Sequence, residues 1–224
     1  MKKELWDEEQ QEEISCFLEN VKSRYRELLE KETRGIIENP NKTQHLKGVV
    51  EELEEIIENY EIQPYNSLEK PVCKDLECES KKENLQSFGK QEGMLQFLLK
   101  HYDKLHWEYG YNDLSEKLKE DFAFGEVIGV KAPMKPRHMT LGFVLLSRSA
   151  VYPKHVHEGV DELYLNIGGS CLINGQSVFP GESYHVASGL PHEIQAGKEE
   201  MVILLYTWLF ARGTPKAYEL KFIK

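Results

Sequence analysis

The sequence lacks any apolar run approaching the roughly 18 residues that a membrane helix needs, and mean hydropathy is −0.54. A transmembrane anchor is therefore not expected. The opening residues, Met1-Lys2-Lys3-Glu4-Leu5-Trp6-Asp7-Glu8, turn acidic at once and carry no signal-peptide stretch, so a cytoplasmic location is expected. Basic charge is in deficit: 28 Lys and Arg stand against 38 Asp and Glu, a formal net charge of −10. That balance argues against duplex nucleic acid as a partner, because phosphate binding wants clustered Lys and Arg. Cysteine is scarce, at positions 16, 73, 78 and 171. Cys73-Lys74-Asp75-Leu76-Glu77-Cys78 could be half a zinc site or a disulfide, yet its spacing is unusual and no second pair exists. Free thiols in a reducing compartment are the better reading. What is present, at 40% hydrophobic residues over 224 positions, suffices for a real core in one large domain or a domain with an appendage.

Two periods divide the chain. Residues 1–105 read as a helical N-terminal region of about three or four helices, and 106–224 as a β domain, so the fold class is α+β, mostly β. Ile14, Phe17, Leu18, Val21, Tyr25 and Leu28 recur at three- and four-residue steps. Gly35 and Asn39-Pro40-Asn41 end that helix, and a second begins near Thr43 with Leu46, Val49, Val50, Leu53, Ile56, Ile57 and Tyr60 on one face. Residues 61–83 read as a loop. A third helix over 84–105 carries Leu85, Phe88, Leu95, Leu98, Leu99 and Tyr102. From about 124 the period falls to two. Strand-like runs cover 124–128, 139–147, 163–167, 170–173, 177–178, 184–186, 193–196 and 201–210, separated by Gly168-Gly169, Asn174-Gly175, Pro180-Gly181 and Ser188-Gly189. Asn-Gly between apolar runs is a strong hairpin signal, and many short strands with close turns argue for a barrel or sandwich.

The chemistry concentrates in Tyr152-Pro153-Lys154-His155-Val156-His157-Glu158-Gly159-Val160-Asp161-Glu162-Leu163-Tyr164. His155 and His157, two apart on an expected strand, project to one face. Glu162 and Tyr164 repeat that spacing at the start of the next strand, and His192 follows Pro191 after a Pro-Gly turn. Two or three imidazoles with one carboxylate suit a divalent transition ion such as Zn, Fe, Mn, Ni or Co. A lone His-x-His pair is more often structural; the accompanying Glu-x-Tyr and Pro-His favour a metal site. His185, before a turn, reads as a structural histidine, and His45, His101 and His106 carry no assigned role.

His-x-His-x4-Glu, a glycine, Pro-Gly and a final His together resemble the two-motif signature of cupins. Within that superfamily the chain resembles the dimethylsulfoniopropionate lyases, whose single cupin barrel follows a helical part. The resemblance extends over Trp107-Glu108-Tyr109-Gly110-Tyr111, Ala123-Phe124-Gly125-Glu126-Val127-Ile128-Gly129, Leu141-Gly142-Phe143, Tyr152-Pro153-Lys154-His155 and Tyr206-Thr207-Trp208, roughly residues 105–212. It implies His155, His157, Glu162 and His192 as ligands of one divalent metal ion, Tyr164 as catalytic base and Tyr152 as a second tyrosine at the site. The family usually has three residues between the second His and the Glu. Here there are four, which leaves Asp161 as an alternative; Glu162 is preferred because only it keeps Glu-x-Tyr in phase.

The activity so implied is β-elimination of a small sulfonium carboxylate to dimethyl sulfide and acrylate. A nearby cation favours phenolate over phenol, and aromatic faces hold a sulfonium. Trp208, Tyr206, Trp107, Tyr109 and Tyr111 form the pool for such a cage, although Trp208 and Tyr206 are also explained as core packing within an apolar strand, and Trp107, Tyr109 and Tyr111 as cover for one end of the barrel. Two other readings stay open: another metal-cupin enzyme, an isomerase, decarboxylase or dioxygenase on a small carboxylate or sugar, or a non-catalytic ligand-binding cupin. Oxygen uptake would mark a dioxygenase, and tight binding without turnover a sensor. The expected partner is thus a small molecule, with no nucleic acid and no membrane, and a homodimer is allowed.

Overall fold

The computed structural model describes residues 2–4, 6–35, 39–80, 91–111, 113–210 and 221–222. Helix α1 (Glu8–Arg34) starts at Asp7, whose carboxylate accepts from Gln10 N while the Gln10 side chain accepts from Asp7 N. This reciprocal cap satisfies two otherwise orphaned amides. Helix α2 (Pro40–Asn59) starts at Asn39, which accepts from Lys42 N, with Pro40 at the first helical position. That is three residues before the expected Thr43, because proline loses nothing where its missing N–H would have no partner.

The expected loop over 61–83 instead contains a short strand and a helix. Strand β1 (Lys2–Glu4) pairs antiparallel with β2 (Tyr65–Ser67), and α3 spans Cys73–Ser80. Cys73 is buried and Cys78 exposed, and all four cysteines are free thiols. Helix α4 (Glu92–His101) continues into a 3-10 turn, Tyr102–Lys104. The earlier part of the expected third helix, with Leu85 and Phe88, lies outside the described residues. No helix among the described residues is long and apolar enough to cross a membrane.

The remaining short helix, α5 (Glu116–Asp121), runs into the barrel. Among the described residues one sheet has six strands in the order β10-β7-β12-β5-β4-β3, and the facing sheet has five in the order β13-β6-β11-β8-β9. The strands are β3 (Trp107–Glu108), β4 (Phe122–Ile128), β5 (Met139–Leu146), β6 (Val151–Val156), β7 (Val160–Gly168), β8 (Cys171–Ile173), β9 (Gln176–Val178), β10 (Ser183–Val186), β11 (His192–Ala196), β12 (Val202–Phe210) and β13 (Lys221–Phe222). The β8–β9 hairpin turns on Asn174 and Gly175, both with positive φ of 49° and 78°, the pair of left-handed residues that a type I′ turn requires.

Strands β4, β5, β7 and β12 are almost wholly buried, because both faces of their sheet are covered. One face looks into the barrel with Phe122, Phe124, Val144, Tyr164, Leu204, Tyr206 and Trp208. The alternate residues Ala123, Phe143, Leu145, Leu163, Leu165, Ile203 and Leu205 face the helices and share one core with Ile14, Phe17, Leu46, Leu53 and Met94. Phe17 of α1 sits 5.6 Å from Phe143 and 4.2 Å from Phe97, centroid to centroid. Burying each such large side chain contributes about 1.5–3 kcal/mol. Helix α2 approaches β12 so closely that a Cβ on Gly48 would lie 2.8 Å from Leu209 Cδ1. The helical stripes thus serve to close the outer face of the sheet whose inner face carries the site.

Candidate metal centre

Strand alternation explains most of the site. On β7, Glu162 and Tyr164 point into the barrel while Asp161 and Leu163 point to the helices. The inward row continues across the sheet: Glu162 lies opposite Trp208, and Tyr164 opposite Tyr206. From the facing sheet, His192 at the start of β11 lies opposite His155 on β6.

Strict alternation fails at one place. Tyr152 and His155 are three apart, yet both are buried and inward-facing, at 3% and 0% exposure. The register between β6 and β11 shifts there, with His192 opposite His155 but Ile194 opposite Tyr152, so three residues of β6 match two of β11. Such a bulge re-aims side chains, and Pro153 within it has no N–H to lose from the ladder. The Pro153 carbonyl accepts from His155 Nδ1 at 2.8 Å, which leaves the Nε2 lone pair of that ring free.

His155, His157 and His192 place one ring nitrogen each within 4.8 Å of the others. Glu162 Oε2 lies 3.1 Å from His192 Nε2 and 3.5 Å from His157 Nε2, close but without hydrogen-bond alignment. The other carboxylate oxygen, Oε1, accepts from the Trp208 indole N–H. The hydroxyl of Tyr164 is 3.1 Å from His192 Nε2. His155 Nε2, both ring nitrogens of His157 and Glu162 Oε2 are fully buried with no hydrogen-bond partner. Leaving such atoms unsatisfied costs about 1–3 kcal/mol each, and buried polar groups rarely go unpaired. All are of metal-ligand type, and one ring nitrogen from each of the three histidines lies within 4.8 Å of the others, so the donor set is compatible with a metal ion.

The electrostatics fit that use. Burial holds His155 well below the ordinary imidazole pKa, reinforced by His192 and His157, and burial likewise lowers His157; both are neutral lone-pair donors. Burial raises the Glu162 carboxyl, but the attraction of His157, the neighbouring His192 and the Trp208 N–H outweigh it, and it is held at about 2. Burial, followed by Glu162, pushes the Tyr164 phenol well above its ordinary value.

Beside the cluster lies a small cavity. Trp208, Tyr206, Tyr164, Tyr152, Phe122 and Phe124 supply its aromatic walls. Of the expected cage, the structure brings Trp208 and Tyr206 here, and it places Trp107 and Tyr109 elsewhere. Trp107 belongs to the outer core against Gly125, its indole donating to the Tyr102 carbonyl. Tyr109 donates its hydroxyl to the Lys119 carbonyl and lies under Lys70. Trp107 thus faces the outer core, whereas Tyr111, two residues further on from Tyr109, lies beside the cluster with its ring 6.3 Å from that of His155. Tyr152 does face the cavity, but its hydroxyl is 2.6 Å from that of Tyr111, and its ring lies 4.0 Å from His155 and stacks 4.2 Å from Phe122. Phe122 and Phe124 also line the cavity, and the signal for them in the sequence is their two-residue spacing.

A two-sheet barrel of this topology with three inward imidazoles and a carboxylate defines the chain as a cupin. A family model described as dimethylsulfoniopropionate lyase matches residues 41–204, and the chain belongs to that family. It is 33% identical over 121 residues to a candidate dimethylsulfoniopropionate lyase, DddL, of Cereibacter sphaeroides, covering 54% of this chain and 52% of the relative. The chain therefore spans about half the length of the curated relative it matches. Among solved structures it is similar to the dimethylsulfoniopropionate lyase DddQ of Ruegeria pomeroyi, with a TM-score of 0.60 and 18% identity over 84% of this chain and 92% of that one. A structure described under the dimethylsulfoniopropionate lyases RdDddP and RnDddQII gives a TM-score of 0.69 at 13% identity, over 96% and 100%. At those identities the two structures establish the fold, helical part included.

Proposed function

We propose that the chain is a metal-dependent carbon–sulfur lyase that cleaves dimethylsulfoniopropionate to dimethyl sulfide and acrylate, with His155, His157, Glu162 and His192 as the metal ligands. The observation that carries this reading is the Tyr164 hydroxyl, fixed 3.1 Å from His192 Nε2 on the rim of a buried cluster with four orphaned ligand atoms. When bound, a divalent ion (Zn, Fe, Mn, Ni or Co) supplies Lewis-acid charge that neutralises a substrate carboxylate and favours the Tyr164 phenolate.

The chain's own residues supply the rest. Tyr164 Oη takes the proton from the carbon beside the carboxylate; that bond's electron pair becomes the new C=C of acrylate. The bond from the next carbon to sulfur breaks, and its pair leaves on sulfur, turning the sulfonium into neutral dimethyl sulfide. Before cleavage, Trp208, Tyr206, Phe122 and Phe124 offer π faces to the sulfonium at about 0.5–2 kcal/mol per contact. Trp208 also holds Glu162 through its N–H, and Tyr111 holds Tyr152 against His155. The dry aromatic walls exclude the water that would otherwise compete for the phenolate.

The deciding assay gives dimethylsulfoniopropionate to purified, metal-loaded chain and follows headspace dimethyl sulfide together with released acrylate. Equimolar release of both is expected. Acrylate without dimethyl sulfide, or no turnover with a metal ion bound, would refute the assignment.

A further inference from the structure

The outer face of β7 carries a second converging set of ligand-type side chains, away from the cavity. His45 of α2, Asp161 of β7 and His185 of β10 each place one ligand atom within 4.8 Å of the other two. Asp161 Oδ2 is 3.1 Å from His45 Nδ1 and 2.8 Å from His185 Nε2. Around a tetrahedral ion with metal–nitrogen and metal–oxygen bonds of about 2.0–2.2 Å, neighbouring ligand atoms stand roughly 3.3–3.6 Å apart, so both contacts need to open by only a few tenths of an ångström to admit one. The two imidazoles are buried, with side chains 0% and 4% exposed, whereas Asp161 is 34% exposed. The carboxylate edge therefore leaves room for water as a further ligand.

The surroundings are those of an oriented ligand. His45 Nε2 is 2.9 Å from Thr207 Oγ1, which is itself 3.0 Å from the Tyr25 hydroxyl. An outer partner on the second ring nitrogen fixes the rotation of a metal-binding histidine. Here it fixes His45 with Nδ1 aimed at Asp161.

We propose that His45, Asp161 and His185 form a second divalent-cation site, suited to Zn²⁺ through two imidazole nitrogens and one carboxylate, that staples α2 to strands β7 and β10. This site does not depend on the lyase reading, because none of its three side chains lines the cavity. Without an ion, each imidazole donates an N–H to Asp161. Taking an ion shifts the His45 proton to Nε2, where it donates to Thr207 Oγ1, and the His185 proton to Nδ1. Two N–H···O contacts are given up here, whereas the inner cluster gives up only the contact between the Tyr164 hydroxyl and His192 Nε2. The inner site therefore fills first.

The test is a Zn²⁺ titration of the chelator-stripped full chain against a competing colorimetric indicator, with bound zinc counted by elemental mass spectrometry. Two equivalents are expected, the second weaker by about tenfold or more. Asp161→Asn and His185→Gln should each remove the weaker equivalent and keep the tighter one; His192→Ala should remove the tighter one and keep the weaker. A Co²⁺ titration of the wild-type chain, which needs no variant to fold, should show two successive absorption components. A single zinc equivalent in the wild-type chain, an Asp161→Asn chain that still takes two, or a single Co²⁺ component overturns the proposal.

Discussion

Strand β7 separates two histidine–carboxylate clusters that differ in one physical respect. On its inner face, Glu162 meets His155, His157 and His192, and four buried ligand atoms have no hydrogen-bond partner. On its outer face, Asp161 meets His45 and His185, and its contacts close among themselves and onward to Thr207 and Tyr25. Neighbouring carboxylates on one strand thus serve different ends. The inner cluster leaves ligand-type atoms unpaired, while the outer one braces the helices to the barrel whether or not an ion joins it.

The comparison breaks most sharply on loss of an inner imidazole. His192→Ala should abolish dimethyl sulfide release and remove the tightly held ion, measured together by headspace analysis and elemental analysis; full activity with no inner ion would end the distinction. Acid comes next. Burial is the leading cause holding His155, His157, His45 and His101 below the ordinary imidazole value. In the unfolded chain they titrate near about 6.5, so between the folded and unfolded values the unfolded chain binds more protons. Stability of the metal-free chain must then rise with pH through that window and fall as pH drops from about 7.5 to 5.5, by up to about 1.4 kcal/mol per imidazole for each pH unit. Urea midpoints at the two pH values check it, and equal midpoints would contradict neutral buried rings.

Smaller effects separate the faces further. Trp208→Phe keeps an aromatic wall but removes the N–H on Glu162; inner metal affinity should fall roughly 10–100-fold, read by chelator competition. Thr207→Val, on the outward side of the same strand, leaves His45 Nε2 and the Tyr25 hydroxyl without a shared partner. It should cost about 1–3 kcal/mol of stability in urea melts while the inner ion stays bound. A Thr207→Val chain that loses the inner ion at unchanged stability would merge the two clusters into one functional unit.

The inner cluster was legible because alternation on a strand is rigid: Glu162 in phase with Tyr164, and Trp208 with Tyr206, follow from a period of two. The helical stripes of α1 and α2 were legible for the same reason at a period of 3.6. Legibility failed where local pattern yields to tertiary context. The bulge at Pro153 puts Tyr152 and His155 on one side at odd spacing, which no pairwise count reveals. Trp107 alternates like a cavity residue but lies on an edge strand whose other face meets the helices. Helix α3 is short, and its charged residues hide the buried Cys73 and Leu76. The outer cluster joins residues 45, 161 and 185, a contact set by docking α2 on the sheet, and so His45 carried no signal of its own.

Tyr164→Phe tests the central claim most directly, because it removes one oxygen from the inner face and nothing else. The account predicts a chain that keeps its inner ion while its rate of dimethyl sulfide release falls roughly 10²–10⁴-fold. An undiminished rate with the ion in place would contradict it.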